Sequence, residues 1–192
     1  MTSSSVQYVA MGGNFAQHGY RYSGAYRVLR TLLGYDYLWA NLRERGGAYG
    51  CMSYFNRNGE TAFMSYRDPN LKETLEVFRG IPGYLETLSL NRRDLDKYII
   101  GTLSDMDAPS TPSVRGRRSL MAYLIGVTDA ELQQDRDEVL SCTAEDLKAL
   151  AAPLRAVLSD NNFTVVGSTE MIRSCEEIFG SIRMLTGEYD GE

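Results

Sequence analysis

Arg43 and Tyr49 are the side chains of this sequence whose types and setting best suit chemistry on a peptide. Gly46 and Gly47 lie between them, carry no side chain, and leave room for another backbone to approach. A guanidinium presents a planar fork of donors to carbonyl oxygens. A phenol can donate its hydroxyl to a carbonyl. Arg45 stands beside the glycines as a second cation. On residue types alone a plainer reading stays open: Arg43 caps a helix and Tyr49 packs in a sheet.

The rest of the sequence offers little other chemistry. His18 is the only histidine, set among Gly, Gln and Tyr as a solvated loop residue, with no nucleophile to serve. Cys51, Cys142 and Cys175 fit neither a disulfide framework nor a zinc site, and a reducing compartment is the default for such thiols. No phosphate-binding loop is present. Arg115, Arg117 and Arg118 could clamp an anion, but they read as solvated charges of a connection running from Asp107 to Arg118. The chain is therefore expected to hold no metal and no cofactor, and to hydrolyse nothing alone.

Composition narrows the partners. In 192 residues, 20 basic against 25 acidic side chains give a net charge of −5, with no basic footprint for nucleic acid. No apolar run approaches the ~20 residues of a membrane span. Met1 to Ser5 lack the basic and apolar regions of a signal peptide, so a cytoplasmic location is the default, with an organellar parent possible. One domain is expected over 1–192, with 1–5 and 187–192 flexible.

The elements that must position Arg43 and Tyr49 follow from periodicity. Val6–Met11 reads as a strand ended by Gly12-Gly13-Asn14. Ser23 caps a helix whose face is Val28, Leu29, Leu32 and Leu33, kinked at Gly34 and resumed by Tyr37, Leu38 and Leu42 as far as Arg43. Trp39 is read as a core anchor. Arg43 and Arg45 favour the negative end of that helix, and Gly46-Gly47 cap it. Ala48–Phe55 and Thr61–Tyr66 form a hairpin about Asn58-Gly59, placing Tyr49 at its first strand's start. Asp68-Pro69 starts a helix that Pro82-Gly83 bends or breaks. Asn91 caps another, Ser119–Ile125 is helical, and Thr128 to Glu131 is a capping box. Thr143 caps a longer helix distorted at Pro153, Phe163–Val166 is a strand, and Ser168 caps the last helix. This order implies an α+β fold, a mainly antiparallel sheet with helices packed on one face.

Leu42-Arg43-Glu44-Arg45-Gly46-Gly47-Ala48-Tyr49-Gly50 resembles the LRxxGGAYG segment of the insulinase/pitrilysin zinc metallopeptidases, and most the presequence-protease and falcilysin branch. Ser65 to Asn70, and Ile100-Gly101-Thr102 followed by Asp107-Ala108-Pro109, also resemble that branch. The resemblance runs from about Val6 to Leu140 and is to the last of four homologous domains, not the zinc-bearing first. It implies that zinc sits in the N-terminal half of a longer parent, which closes with the C-terminal half around short unstructured peptides. It also implies that Arg43 and Tyr49 bind substrate beside Arg45, Gly46 and Gly47, with Tyr49 supporting the transition state. The alternative is a non-catalytic peptide-binding or assembly subunit of the same superfamily.

Overall fold

A computed structural model of the chain describes residues 5–184; of the two expected flexible tails, only Ser5 lies within them. Four strands form one sheet in the order β2-β3-β1-β4: β1 (Gln7–Asn14), β2 (Gly50–Phe55), β3 (Glu60–Asp68) and β4 (Phe163–Val166). Every neighbouring pair is antiparallel. The β2–β3 hairpin turns at Asn58-Gly59, where Gly59 takes φ +93°, a backbone state open to glycine at no steric cost.

Side chains alternate across the pleat. Val9, Met11 and Phe63 point to one face and are fully buried, whereas Tyr8, Met52, Tyr54 and Tyr66 point to the other and are exposed. The helices lie on the buried face. α1 (Ala25–Tyr35) packs against β2, and α2 (Lys72–Glu86) and α7 (Ala151–Ser159) pack against β1. Leu29, Leu32 and Leu33 of α1, Leu75 and Phe78 of α2, and Leu154 and Val157 of α7 fill one continuous core with the inward strand residues. The fold is α+β, with helices on one face of the sheet.

Several boundaries differ from those expected. β1 continues through Gly12 and Gly13, which pair with Ala62 and Thr61, because a paired neighbour overrides the weak strand preference of glycine. α1 starts after Gly24 rather than Ser23 and ends at Tyr35, and the chain breaks at Asp36, not Gly34. There Asp36 accepts the Tyr84 hydroxyl at 2.9 Å. Pro82 is carried, buried, inside an unbroken α2, and no side chain caps that helix. Asp68 instead accepts the Asn70 N–H at 2.9 Å and the Thr74 hydroxyl at 2.7 Å.

α3 (Arg92–Met106) begins at Asn91 as expected, the Asn91 side chain accepting from the Asp94 N–H. The supposed connection is largely helix. Thr111 and Pro112 start α4 (Pro112–Leu124), which carries all three arginines of the basic cluster, and every residue from Thr111 to Met121 is exposed. The Thr128 capping box opens α5 (Asp129–Leu140). The helix after Thr143 divides at Leu150 into α6 (Ala144–Ala149) and α7. Pro153 falls in the first turn of α7, where a missing N–H has no intrahelical partner to lose. Ser168 caps a short α8 (Thr169–Ser174).

Candidate functional site

After Asp36 the chain winds into a π-helical segment, Trp39–Arg45. Such wide turns are rare and often accompany functional sites. The segment ends as glycine chemistry dictates: Gly47 adopts φ +76°, and its N–H bonds the Arg43 carbonyl at 3.1 Å. The Ala48 N–H reaches back to the Leu42 carbonyl at 2.9 Å, and buried Leu42 and Ala48 pin the turn to the core.

The second sequence motif clasps the first. Asn70 donates its side-chain amide to the Gly46 carbonyl at 2.6 Å. The Tyr49 N–H donates to the Arg67 carbonyl at 3.3 Å, and Arg67 itself takes φ +48°. Fully buried Asp68 holds Asn70 through its N–H. Ser65 to Asn70 thus fixes the Gly46-Gly47 turn, a role that residue types alone did not suggest. The third motif lies elsewhere: Gly101 allows α3 close to α1, and the Thr102 and Thr31 hydroxyls bond across at 2.8 Å.

Arg43 projects to solvent with its guanidinium 4.1 Å above the centre of the Trp39 ring. Trp39 is 37% exposed and donates its indole N–H to Glu44 at 3.1 Å, so it is a shelf for Arg43 rather than a core anchor. The Trp39/Arg43 spacing of one helical turn was the available signal. Arg45 bonds the Asn41 side chain at 3.1 Å, and Asn41 bonds the Tyr37 carbonyl at 2.7 Å. Arg45 is the more committed of the two cations.

Tyr49 lies just before β2 and is 65% exposed. Its ring meets Tyr66 edge-on at 5.7 Å, and Tyr66 meets Tyr8 edge-on at 5.2 Å. Among the described residues its hydroxyl has no hydrogen-bond partner. Arg43 and Tyr49 therefore flank one glycine turn but lean on different aromatic rings. Nearby, burial pushes the Cys51 thiol up, the Arg43 charge pulls it down, and Asp68 pushes it up again.

These residues do not form a zinc site. His18 is bonded to Asp160 at 2.8 Å, and no group of three or more His, Cys, Asp or Glu among the described residues is placed to hold a metal. Nor is any helix among them long and apolar enough to cross a membrane. Cys51, Cys142 and Cys175 are free thiols; burial pushes Cys142 up to about 12.

With this geometry in view, the family is decided by a match over residues 1–170 to the PreP C-terminal domain. The chain belongs to the PreP C-terminal domain family. Protein HypA of Clostridium perfringens is 40% identical over 95% of the chain. Presequence protease 1, chloroplastic/mitochondrial, of Arabidopsis thaliana is 36% identical over 88%. The chain spans only 19% and 16% of the lengths of these two relatives. This PreP C-terminal domain shares its fold with more distant proteins. Pitrilysin superposes with a TM-score of 0.62 over 86% of the chain and 19% of its own length, at 12% identity. The inactive peptidase domain of a putative zinc protease from Bordetella parapertussis gives 0.59, over 86% of the chain and 91% of its own, at 15% identity.

Proposed function

We propose that this chain is the C-terminal, substrate-binding domain of a longer zinc metalloendopeptidase that degrades short unstructured peptides. In this reading residues 1–192 form one domain that closes against a zinc-bearing N-terminal half of the same polypeptide. Zinc in that half supplies the hydrolytic chemistry; this chain supplies donors to the substrate. Arg43 directs its fork at substrate carbonyls, with Arg45 behind it and Gly46-Gly47 admitting the substrate backbone. Tyr49 donates to the carbonyl beside the scissile bond and to the developing oxyanion.

The observation that carries the reading is the state of Arg43 and Tyr49. Neither is consumed by the fold: Arg43 rests on an exposed indole, and the Tyr49 hydroxyl points to no partner among the described residues. A purely structural Arg and Tyr would be capped or packed. The assembly-subunit alternative would not need an exposed donor pair and is not favoured.

The test is peptide hydrolysis by the full-length protein. Arg43→Ala should raise KM by roughly tenfold, the loss of about 1.4 kcal/mol of carbonyl contacts already made to bound substrate. Unchanged KM would remove Arg43 from the site.

A further inference from the structure

The π-helical segment Trp39–Arg45 places an acid between two cations and pairs it with neither. Glu44 stands between Arg43 and Arg45, yet its carboxylate accepts the Trp39 indole N–H at 3.1 Å. Arg45 turns back to the Asn41 side chain, and Arg43 lies over the Trp39 ring. Among the described residues Glu44 makes no ion pair and Arg43 makes no hydrogen bond through its guanidinium. Trp39, Arg43, Glu44 and Arg45 are all exposed, so burial in the core does not hold them in this arrangement.

The winding of the backbone does. In an α-helix residues five apart point about 140° away from each other, and a residue at 44 would face away from the edge of the Trp39 ring. A π-helix closes its hydrogen bonds five residues apart and brings such residues to the same side. Trp39 therefore meets two neighbours at once: Arg43 on its ring face and Glu44 at its indole N–H.

We propose that Trp39 and Glu44 are positioning residues for substrate binding by Arg43; the inference rests on the peptide-binding reading above and names the groups that hold its cation ready. By accepting the indole N–H, Glu44 fixes the plane of the ring. The ring in turn holds the guanidinium flat above it and leaves the planar fork of donors open at its edge. The same bond keeps the adjacent carboxylate off Arg43, where a charge-assisted pair would occupy those donors. A guanidinium already ordered in this way loses less rotamer freedom when a peptide carbonyl arrives, so the gain appears as tighter binding.

The experiment measures KM and kcat separately for peptide hydrolysis by the full-length protein. Trp39→Leu should raise KM roughly fivefold, the scale of a lost cation–π contact, with the effect on KM rather than kcat. Glu44→Ala should raise KM about threefold, and Glu44→Gln, which keeps the acceptor, should restore it. Trp39→Phe keeps a ring face without the N–H and should match Glu44→Ala; it carries the same test should Trp39→Leu fail to fold. In an Arg43→Ala background neither Trp39→Leu nor Glu44→Ala should raise KM further, because both act through Arg43. Three results overturn the proposal alone: KM unmoved by Trp39→Leu while Arg43→Ala raises it, Glu44→Gln as damaging as Glu44→Ala, or a Trp39→Leu loss that persists without Arg43. If Arg43→Ala itself leaves KM unchanged, the peptide-binding reading of Arg43 falls and this proposal with it.

Discussion

Arg57 and Arg43 each lie over an aromatic ring, but their guanidinium groups are engaged in different ways. Arg57 sits over Tyr22 at 5.5 Å and bonds Asp135 at 2.6 Å and the Glu131 carbonyl at 3.0 Å. Arg27 reaches the same Asp135 oxygen at 3.2 Å. Asp135 is 4% exposed, and burial pushes the neighbouring Tyr22 phenol up. This cluster lines a cavity of about 350 Å³, yet its acids are already bonded: Glu138 accepts the Gly24 N–H at 2.6 Å and Glu131 accepts from Thr128. Among the described residues, Arg43 has only the Trp39 ring beneath it. An ion cluster built on Asp135 joins α5 to α1 and the hairpin. An arginine held in place but not neutralised is ready for a ligand.

The largest way to break this comparison is at Asp135. Asp135→Ala takes from Arg27 and Arg57 the buried carboxylate they share. Loss of one partner from a fully buried pair costs roughly 3–5 kcal/mol; here about 2–3 kcal/mol is expected, because both arginines are partly solvated. Arg43→Ala should cost only about 0.5 kcal/mol, the scale of an exposed cation–π contact. Urea denaturation of the two variants checks the difference. Equal losses would mean that Arg43 is as structural as Arg57.

A smaller effect sharpens the same point. Asn70→Ala removes the donor to the Gly46 carbonyl, which should cost about 1 kcal/mol. On the proposed reading it should also lower kcat for peptide hydrolysis by the full-length protein, because the turn that sets Tyr49 loses its clasp. If kcat is unchanged while stability falls, Asn70 only braces the turn and does not aim Tyr49.

Much of this was legible in the residues. Asn58-Gly59 marked the hairpin, Thr128 to Glu131 the capping box, and Gly46-Gly47 the end of the helix carrying Arg43, because each signal is local. What was not legible depends on distant partners. Gly12 and Gly13 read as a strand end, but pairing with β3 carries the strand through them. At the Asp36 break the side chain accepts from Tyr84, a partner far off in sequence, and nothing near Asp36 announces it. The π-helical winding that sets Arg43 over Trp39 has no composition of its own. Thr111-Pro112 was a readable start for α4, overlooked because the following arginines resembled a polar connection. The brace from Asn70 to Gly46 joins two motifs far apart in sequence, so only the folded chain shows it.

The account rests on Tyr49 meeting charge that develops during the reaction, and its neighbour Tyr66 supplies the control. The two rings touch, both residues are exposed, and Phe preserves the ring at either position. The measurement is kcat for peptide hydrolysis by the full-length protein carrying Tyr49→Phe or Tyr66→Phe. The account predicts a loss of roughly 10²–10³-fold for Tyr49→Phe, the effect of removing one oxyanion donor, and little change for Tyr66→Phe. Equal kcat values for the two variants and the parent would contradict it.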